Sequence, residues 1–153
     1  MKHSYLLVPF SVIMVAIIGS VVTDSGMDWY LTLKLPSWTP GGSTIGMVWT
    51  VIYILTSASL LMIWGAKAVV REKRNILRTF ALNLILNLSW SIAFFGLNMI
   101  GLSIVIAFLL TLSVIALMAQ IRSVNLAAAT LLAPYAFWSF FATYLTYAIW
   151  VLN

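Results

Sequence analysis

The sequence contains no cysteine, one histidine and three acidic residues in a chain of 153. The absence of cysteine excludes disulfides, thiolate metal sites and cysteine nucleophiles. The acidic residues are Asp24, Asp28 and Glu72, and the histidine is His3, close to the N-terminus. Zinc, di-iron and paired-carboxylate chemistry therefore lack ligands. We predict neither a metal site nor a resident cofactor.

Charge of either sign is also scarce, because only 7% of the residues are charged while 63% are hydrophobic. The mean hydropathy is +1.10, far above that of a water-soluble domain of this size. We therefore predict an all-α integral membrane protein. The apolar segments predict one domain, residues 1–153, that is a bundle of five transmembrane helices. The helices are predicted at residues 5–23, 44–66, 79–95, 101–120 and 126–152, with a kink at Pro134.

A long loop between helices 1 and 2, residues 24–43, is rich in aromatic residues, proline and glycine. Loops of this length are usually functional or disordered. Because the loop carries Trp29, Tyr30 and Trp38, we do not expect it to be a solvated tether. We interpret the loop as a lid folded over the bundle, and we include Trp38 in the predicted ligand-binding set. Interfacial anchoring of these aromatic rings is the alternative.

Seven of the eight lysine and arginine residues fall on one side of the five predicted spans, and only Lys34 falls on the other. Cytoplasmic loops of membrane proteins carry such an excess of basic residues. The pattern therefore predicts a cytoplasmic N-terminus, with the lid and the C-terminus outside the cytoplasm. The seven residues are Lys2, Lys67, Arg71, Lys73, Arg74, Arg78 and Arg122.

Residues 79–121 contain no charged side chain, yet the predicted helix at 79–95 carries two asparagines, four residues apart. Helical rotation places Asn83, Asn87, Trp90 and Phe94 in one narrow stripe. An amide in hydrocarbon is costly unless it is hydrogen-bonded, so this face should point into the protein. Two readings remain open at this point: hydrogen bonding between helices, or the wall of a ligand pocket.

Four stretches of the chain resemble the TspO/MBR family, the tryptophan-rich sensory proteins and the translocator protein once called the peripheral benzodiazepine receptor. They are LPSWTP at residues 35–40, GMVWTVIY at 46–53, LNLILNLSWSIAFF at 82–95 and PYAFWSFFATYLTYAIWVLN at 134–153. With the five spans and the long first loop, the resemblance covers nearly the whole chain.

The resemblance implies a five-helix bundle, often a homodimer, that binds porphyrins and flat synthetic ligands such as isoquinoline carboxamides and benzodiazepines. It implies a pocket between the helices, closed by the first loop. Some bacterial members are reported to degrade protoporphyrin in light, and the matching positions here would be Trp49 and Trp138. Carried over by motif, the ligand-binding residues are Trp49, Tyr53, Asn83, Asn87, Trp90, Trp138, Ala142 and Leu145.

Three functions are compatible with these residues. The first is a membrane receptor or carrier for porphyrins and similar apolar ligands, with the bilayer as surroundings and no nucleic-acid partner. The second is a light-dependent enzyme that degrades protoporphyrin through tryptophan redox chemistry, with Trp49 and Trp138 as catalytic residues. The third is a sensory or scaffold protein whose ligand controls a partner. The predicted spans contain no acid or base, which lowers the expectation of an enzyme and of a proton-coupled transporter.

Overall fold

A computed structural model describes residues 4–66 and 69–153, with side chains from Pro9 onward. The regular elements of these residues are all helical. They are α1 (Ser4–Ser25), α2 (Met27–Tyr30), α3 (Gly42–Gly65), α4 (Val70–Ser91), a π-helical segment (Ile92–Gly96), α5 (Ile100–Arg122), α6 (Leu126–Thr130) and α7 (Ala133–Leu152). The predicted positions Lys2, His3 and Lys67 lie outside the described residues.

Four helical stretches of the described chain are long and apolar enough to cross a membrane. They are Gly42–Gly65, Val70–Gly96, Ile100–Arg122 and Leu126–Leu152. A shorter apolar stretch, Pro9–Ser25, belongs to α1. This arrangement supports the predicted membrane-embedded helical bundle.

The start of α4 differs most from the sequence prediction. This helix begins at Val70, nine residues before the predicted start at Thr79, so most of the predicted basic loop is helical. A Glu72 carboxylate oxygen accepts a hydrogen bond from the Val69 backbone N–H, 3.2 Å away. The Lys73 ammonium donates to the carbonyl of Trp64 near the end of α3. Charged side chains thus cap two helix ends and extend α4 beyond its apolar part.

The last predicted helix, residues 126–152, is divided into α6 and α7, with Pro134 in the first turn of α7. Proline has no N–H and is tolerated at a helix start, so it permits the break that the sequence predicted as a kink. The predicted loop at 24–43 contains α2, because α1 ends at Ser25 and α3 begins at Gly42. Between the π segment and α5, Asn98 adopts a left-handed φ of 57° that asparagine tolerates.

The two ends of the bundle differ in chemistry. At one end, the end of α3, the start of α4, the end of α5 and α6 pack around a cluster that includes Ile63, Ile76, Ile121 and Ala128. The described basic residues other than Lys34 belong to the same helix ends, so we call this the basic end. The opposite end carries residues 24–43 and is called the lid end.

Candidate functional site

A chain of hydrogen bonds between side chains crosses the middle of the bundle. The Tyr53 hydroxyl donates to Asn87 Oδ1 at 3.2 Å, and Asn87 Nδ2 donates to the Tyr135 hydroxyl at 3.3 Å. The Tyr135 hydroxyl donates to Asn83 Oδ1 at 3.0 Å, and Asn83 Nδ2 donates to Ser113 Oγ at 2.9 Å. We call these five residues the polar network. They join α3, α4, α5 and α7.

Both asparagines are buried, with exposed fractions of 1% for Asn83 and 6% for Asn87. The prediction that their face points into the protein is therefore confirmed. Their amides pair with groups on other helices, which is the first of the two readings that the sequence left open. Tyr135 and Ser113 were not predicted, although Tyr135 lies one turn before Trp138 on the same helix.

Three tryptophans lie one helical turn from the polar network, all toward the lid end. Trp49 precedes Tyr53 on α3, which runs from the lid end to the basic end. Trp90 follows Asn87 on α4, and Trp138 follows Tyr135 on α7, and both helices run the other way. A turn rises about 5.4 Å along each helix. Hydrogen bonds join Tyr53, Asn87 and Tyr135, so we call the tryptophans one turn beyond them, Trp49, Trp90 and Trp138, the tryptophan layer.

Ring contacts hold the tryptophan layer in place. Trp49 stacks on Tyr53 with centroids 5.6 Å apart and meets the edge of Tyr135 at 6.0 Å. Trp49 and Trp138 both pack against the buried cluster that contains Tyr135. Trp90 stacks on Phe94 at 5.4 Å.

Two of the three indoles carry an unpaired donor. Among the residues that the structure describes, Trp90 Nε1 and Trp138 Nε1 are buried without a hydrogen-bond partner. A buried N–H group without an acceptor costs about 1–3 kcal/mol, so such groups are uncommon. Two of them in one layer indicate a place where a molecule with hydrogen-bond acceptors would be stabilised.

Residues 24–43 pack on the helices beyond the tryptophan layer, toward the lid end, and contact them at two places. On one side, Trp29 meets Phe94 edge-on at 5.4 Å, and Tyr30 packs on Phe95 at 5.7 Å. Burial raises the pKa of the Tyr30 phenol, because it disfavours the charged form. Gly26 lies so close to the backbone of Phe95 that a Cβ would overlap its carbonyl group.

The second docking point is α7. The Trp38 ring is parallel to Tyr144 within 13° at 5.5 Å, and it meets the edge of Phe141 at 5.8 Å. The side chain of Asn153 accepts from the Lys34 backbone N–H at 2.9 Å and donates to the Lys34 carbonyl at 3.0 Å. The lid thus spans the bundle from the π segment to the end of α7.

The remaining predicted site residues lie on α7. Ala142 is one turn beyond Trp138 toward the lid end, and its carbonyl accepts a hydrogen bond from Thr146 Oγ1 at 2.7 Å. Leu145 is half-buried two turns beyond Trp138.

Two surface cavities lie outside the tryptophan layer. One, of about 320 Å³, lies between Trp38 and the outer face of α7. The other, of about 330 Å³, lies at the basic end. Neither cavity is lined by Trp49, Trp90 or Trp138.

Comparison with known proteins agrees with the motifs. The sequence profile of the TspO/MBR family matches residues 7–151. The chain is 33% identical to the Tryptophan-rich protein TspO of Bacillus cereus over 153 residues, which is 100% of this chain and 99% of that protein. It is 35% identical to the protein of the same name from Chlorobaculum tepidum over 136 residues, 88% of this chain and 86% of that one.

The human Translocator protein is 32% identical over 130 residues, which is 84% of this chain and 77% of that protein. The apolar helices and these relatives together define an integral, multi-pass membrane protein. The chain belongs to the TspO/MBR family.

Proposed function

We propose that this protein is a membrane receptor or carrier with five membrane spans. These are the four long apolar stretches and, in addition, α1. Its ligand is a porphyrin or a similar flat apolar molecule with polar edges, and it binds in the tryptophan layer beneath the lid. The observation that carries the proposal is the pair of buried, unpaired indole N–H groups of Trp90 and Trp138.

The chemistry of the layer selects this class of ligand. Three indole rings favour a planar molecule that stacks on them or meets their edges. The two N–H groups favour acceptors on its rim, because each acceptor would remove the cost of a buried donor. The side-chain amides of Asn83 and Asn87 already pair within the polar network. In this proposal the two asparagines form the floor of the site and hold Tyr53 and Tyr135 in position.

The lid governs entry and exit. It docks on the π segment through Trp29 and Tyr30, and on α7 through Trp38. Single turns of π-helix are frequent at functional sites. Closing a loop over a bound ligand excludes water and slows dissociation.

The second candidate function is light-dependent degradation of protoporphyrin. It is favoured by the packing of Trp49 and Trp138 against one buried cluster with Tyr135, which would bring two oxidisable indoles to the same ligand. A redox role needs an indole and not merely an aromatic ring. Replacing Trp49 or Trp138 with phenylalanine therefore distinguishes a redox role from stacking alone.

The experiment follows the absorption spectrum of protoporphyrin mixed with purified protein, in darkness and in light. A stable shifted spectrum in both conditions supports the receptor or carrier, and bleaching to a new product in light supports the enzyme. The same titration is made with Trp49→Phe and Trp138→Phe. Stacking alone predicts at most about a tenfold loss of affinity. Turnover that falls only in proportion to bound porphyrin would reject a redox role for the indoles.

A further inference from the structure

A groove at the basic end has no part in the proposed ligand site. It has a volume of about 330 Å³, near the lower limit of ligand cavities, which is about 300 Å³. It lies where α5, α6 and the start of α7 meet, and its lining residue on α7, Ala133, is more than one turn before Trp138. We call it the alanine groove; it is lined by Ala119, Arg122, Leu126, Ala129, Thr130 and Ala133, with Met118 beside them.

The sequence explains the shape of the groove. The regular helix is interrupted at Leu131 and Leu132, between α6 and α7 and just before Pro134. Alanines occupy the positions that face the gap, and their small side chains leave it open. Leu126 at its edge is 61% exposed, so the groove opens on the outside of the bundle. In a membrane protein this surface contacts lipid.

Arg122 is the charged residue among those that line the groove. It is exposed, and in the described part of the chain its guanidinium makes no hydrogen bond or ion pair. The hydroxyl of Thr130 donates to the Ala127 carbonyl at 2.8 Å and is therefore engaged. The polar group that remains for a ligand is the guanidinium, which pairs with phosphate through two parallel hydrogen bonds.

We propose that the alanine groove binds one anionic phospholipid from the membrane leaflet at the basic end. An acyl chain fills the apolar groove, and the lipid phosphate pairs with Arg122. Charge complementarity supports this occupant, because Arg122 is the charged residue among those that line the groove and would pair with an anionic headgroup at its mouth. The inference does not depend on the porphyrin site or on which side of the membrane this end faces.

The test uses native mass spectrometry of the protein released from bilayers that contain equal amounts of phosphatidylglycerol and phosphatidylcholine. The wild type should retain one phosphatidylglycerol in preference to phosphatidylcholine. Arg122→Gln should lower that preference about fivefold, since one basic residue contributes about that factor near an anionic surface. Ala119→Leu, which fills the groove from an exposed position, should reduce retention of both lipids.

Two matched variants serve as controls. Arg74→Gln removes an exposed charge at the same end, and Ala81→Leu enlarges an exposed alanine on α4, and neither residue lines the groove. Both should retain phosphatidylglycerol as the wild type does. Equal retention of the two lipids by the wild type would overturn the proposal. An equal loss of phosphatidylglycerol from Arg74→Gln and Arg122→Gln would also overturn it. So would a wild-type dimer that Ala119→Leu disrupts, because the occupant of the groove would then be a second copy of the chain.

Discussion

The Tyr135 hydroxyl connects the two buried asparagines of α4, since it donates to Asn83 and accepts from Asn87. The inward face of the asparagines could be predicted from the helical period and the cost of burying amides. Their partners could not, because a single sequence does not specify the register between neighbouring helices. Ser113 and Tyr135 sit in apolar runs where nothing local distinguishes them from packing residues.

Tyr135→Phe keeps the ring but leaves Asn83 Oδ1 and Asn87 Nδ2 without this partner. We expect it to lower the free energy of unfolding by about 1–2 kcal/mol, toward the upper end of hydrogen bonds within membrane proteins. Tyr53→Phe removes one bond of a half-buried residue and should cost less. Thermal unfolding in one detergent measures both. A smaller loss for Tyr135→Phe than for Tyr53→Phe would contradict the central role of Tyr135.

At the scale of elements, the apolar helices begin and end within about two residues of their predicted bounds, except at the start of α4. The start of α4 was not predicted, because a cluster of charged residues between apolar segments is typical of a loop. In the structure, Glu72 and Lys73 cap helix ends instead. The proline at 134 predicted a disturbance but not the division into α6 and α7. The lid was predicted from its aromatic residues. Its docking on the π segment depends on a close backbone approach that composition does not reveal.

Gly26→Ala tests that close approach. The added methyl group would overlap the backbone of Phe95, and backbone cannot move aside as a flexible side chain can. We expect the lid to undock from the π segment, with faster hydrogen exchange of the amides in residues 26–33. The control is Gly41→Ala, where a Cβ meets nothing within 4 Å. Unchanged exchange in Gly26→Ala would show that the lid does not depend on this contact.

Asn153→Ala tests the other docking point. The variant loses both hydrogen bonds to the Lys34 backbone, each contributing about 0.5–1.5 kcal/mol. Trypsin needs an extended, unpaired backbone to cleave after Lys34, so we expect cleavage there to be about tenfold faster. Asn75→Ala changes an exposed asparagine at the basic end and should leave the rate unchanged. Equal rates in the two variants would reject the contact as a restraint on the lid.

At the scale of the whole molecule, the basic end and the lid end define an orientation in the membrane. The excess of lysine and arginine at the basic end predicts that this end is cytoplasmic. A reporter fused after Asn153 should then be active only outside the cytoplasm. The same reporter fused within the basic end, after Ser123, should show the opposite activity. Cytoplasmic activity of the first fusion, in a folded protein, would contradict the orientation.

The central claim is that the tryptophan layer binds a flat ligand through its two unpaired indole N–H groups. The most direct measurement is the affinity for protoporphyrin, titrated in darkness, of the wild type and of Trp90→Phe/Trp138→Phe. Each lost hydrogen bond should weaken binding about fivefold, hence about thirtyfold for both. Trp64→Phe, in the last turn of α3 at the basic end, should bind as the wild type does. Equal affinity of the double variant and the wild type, or no binding by the wild type, would contradict the account.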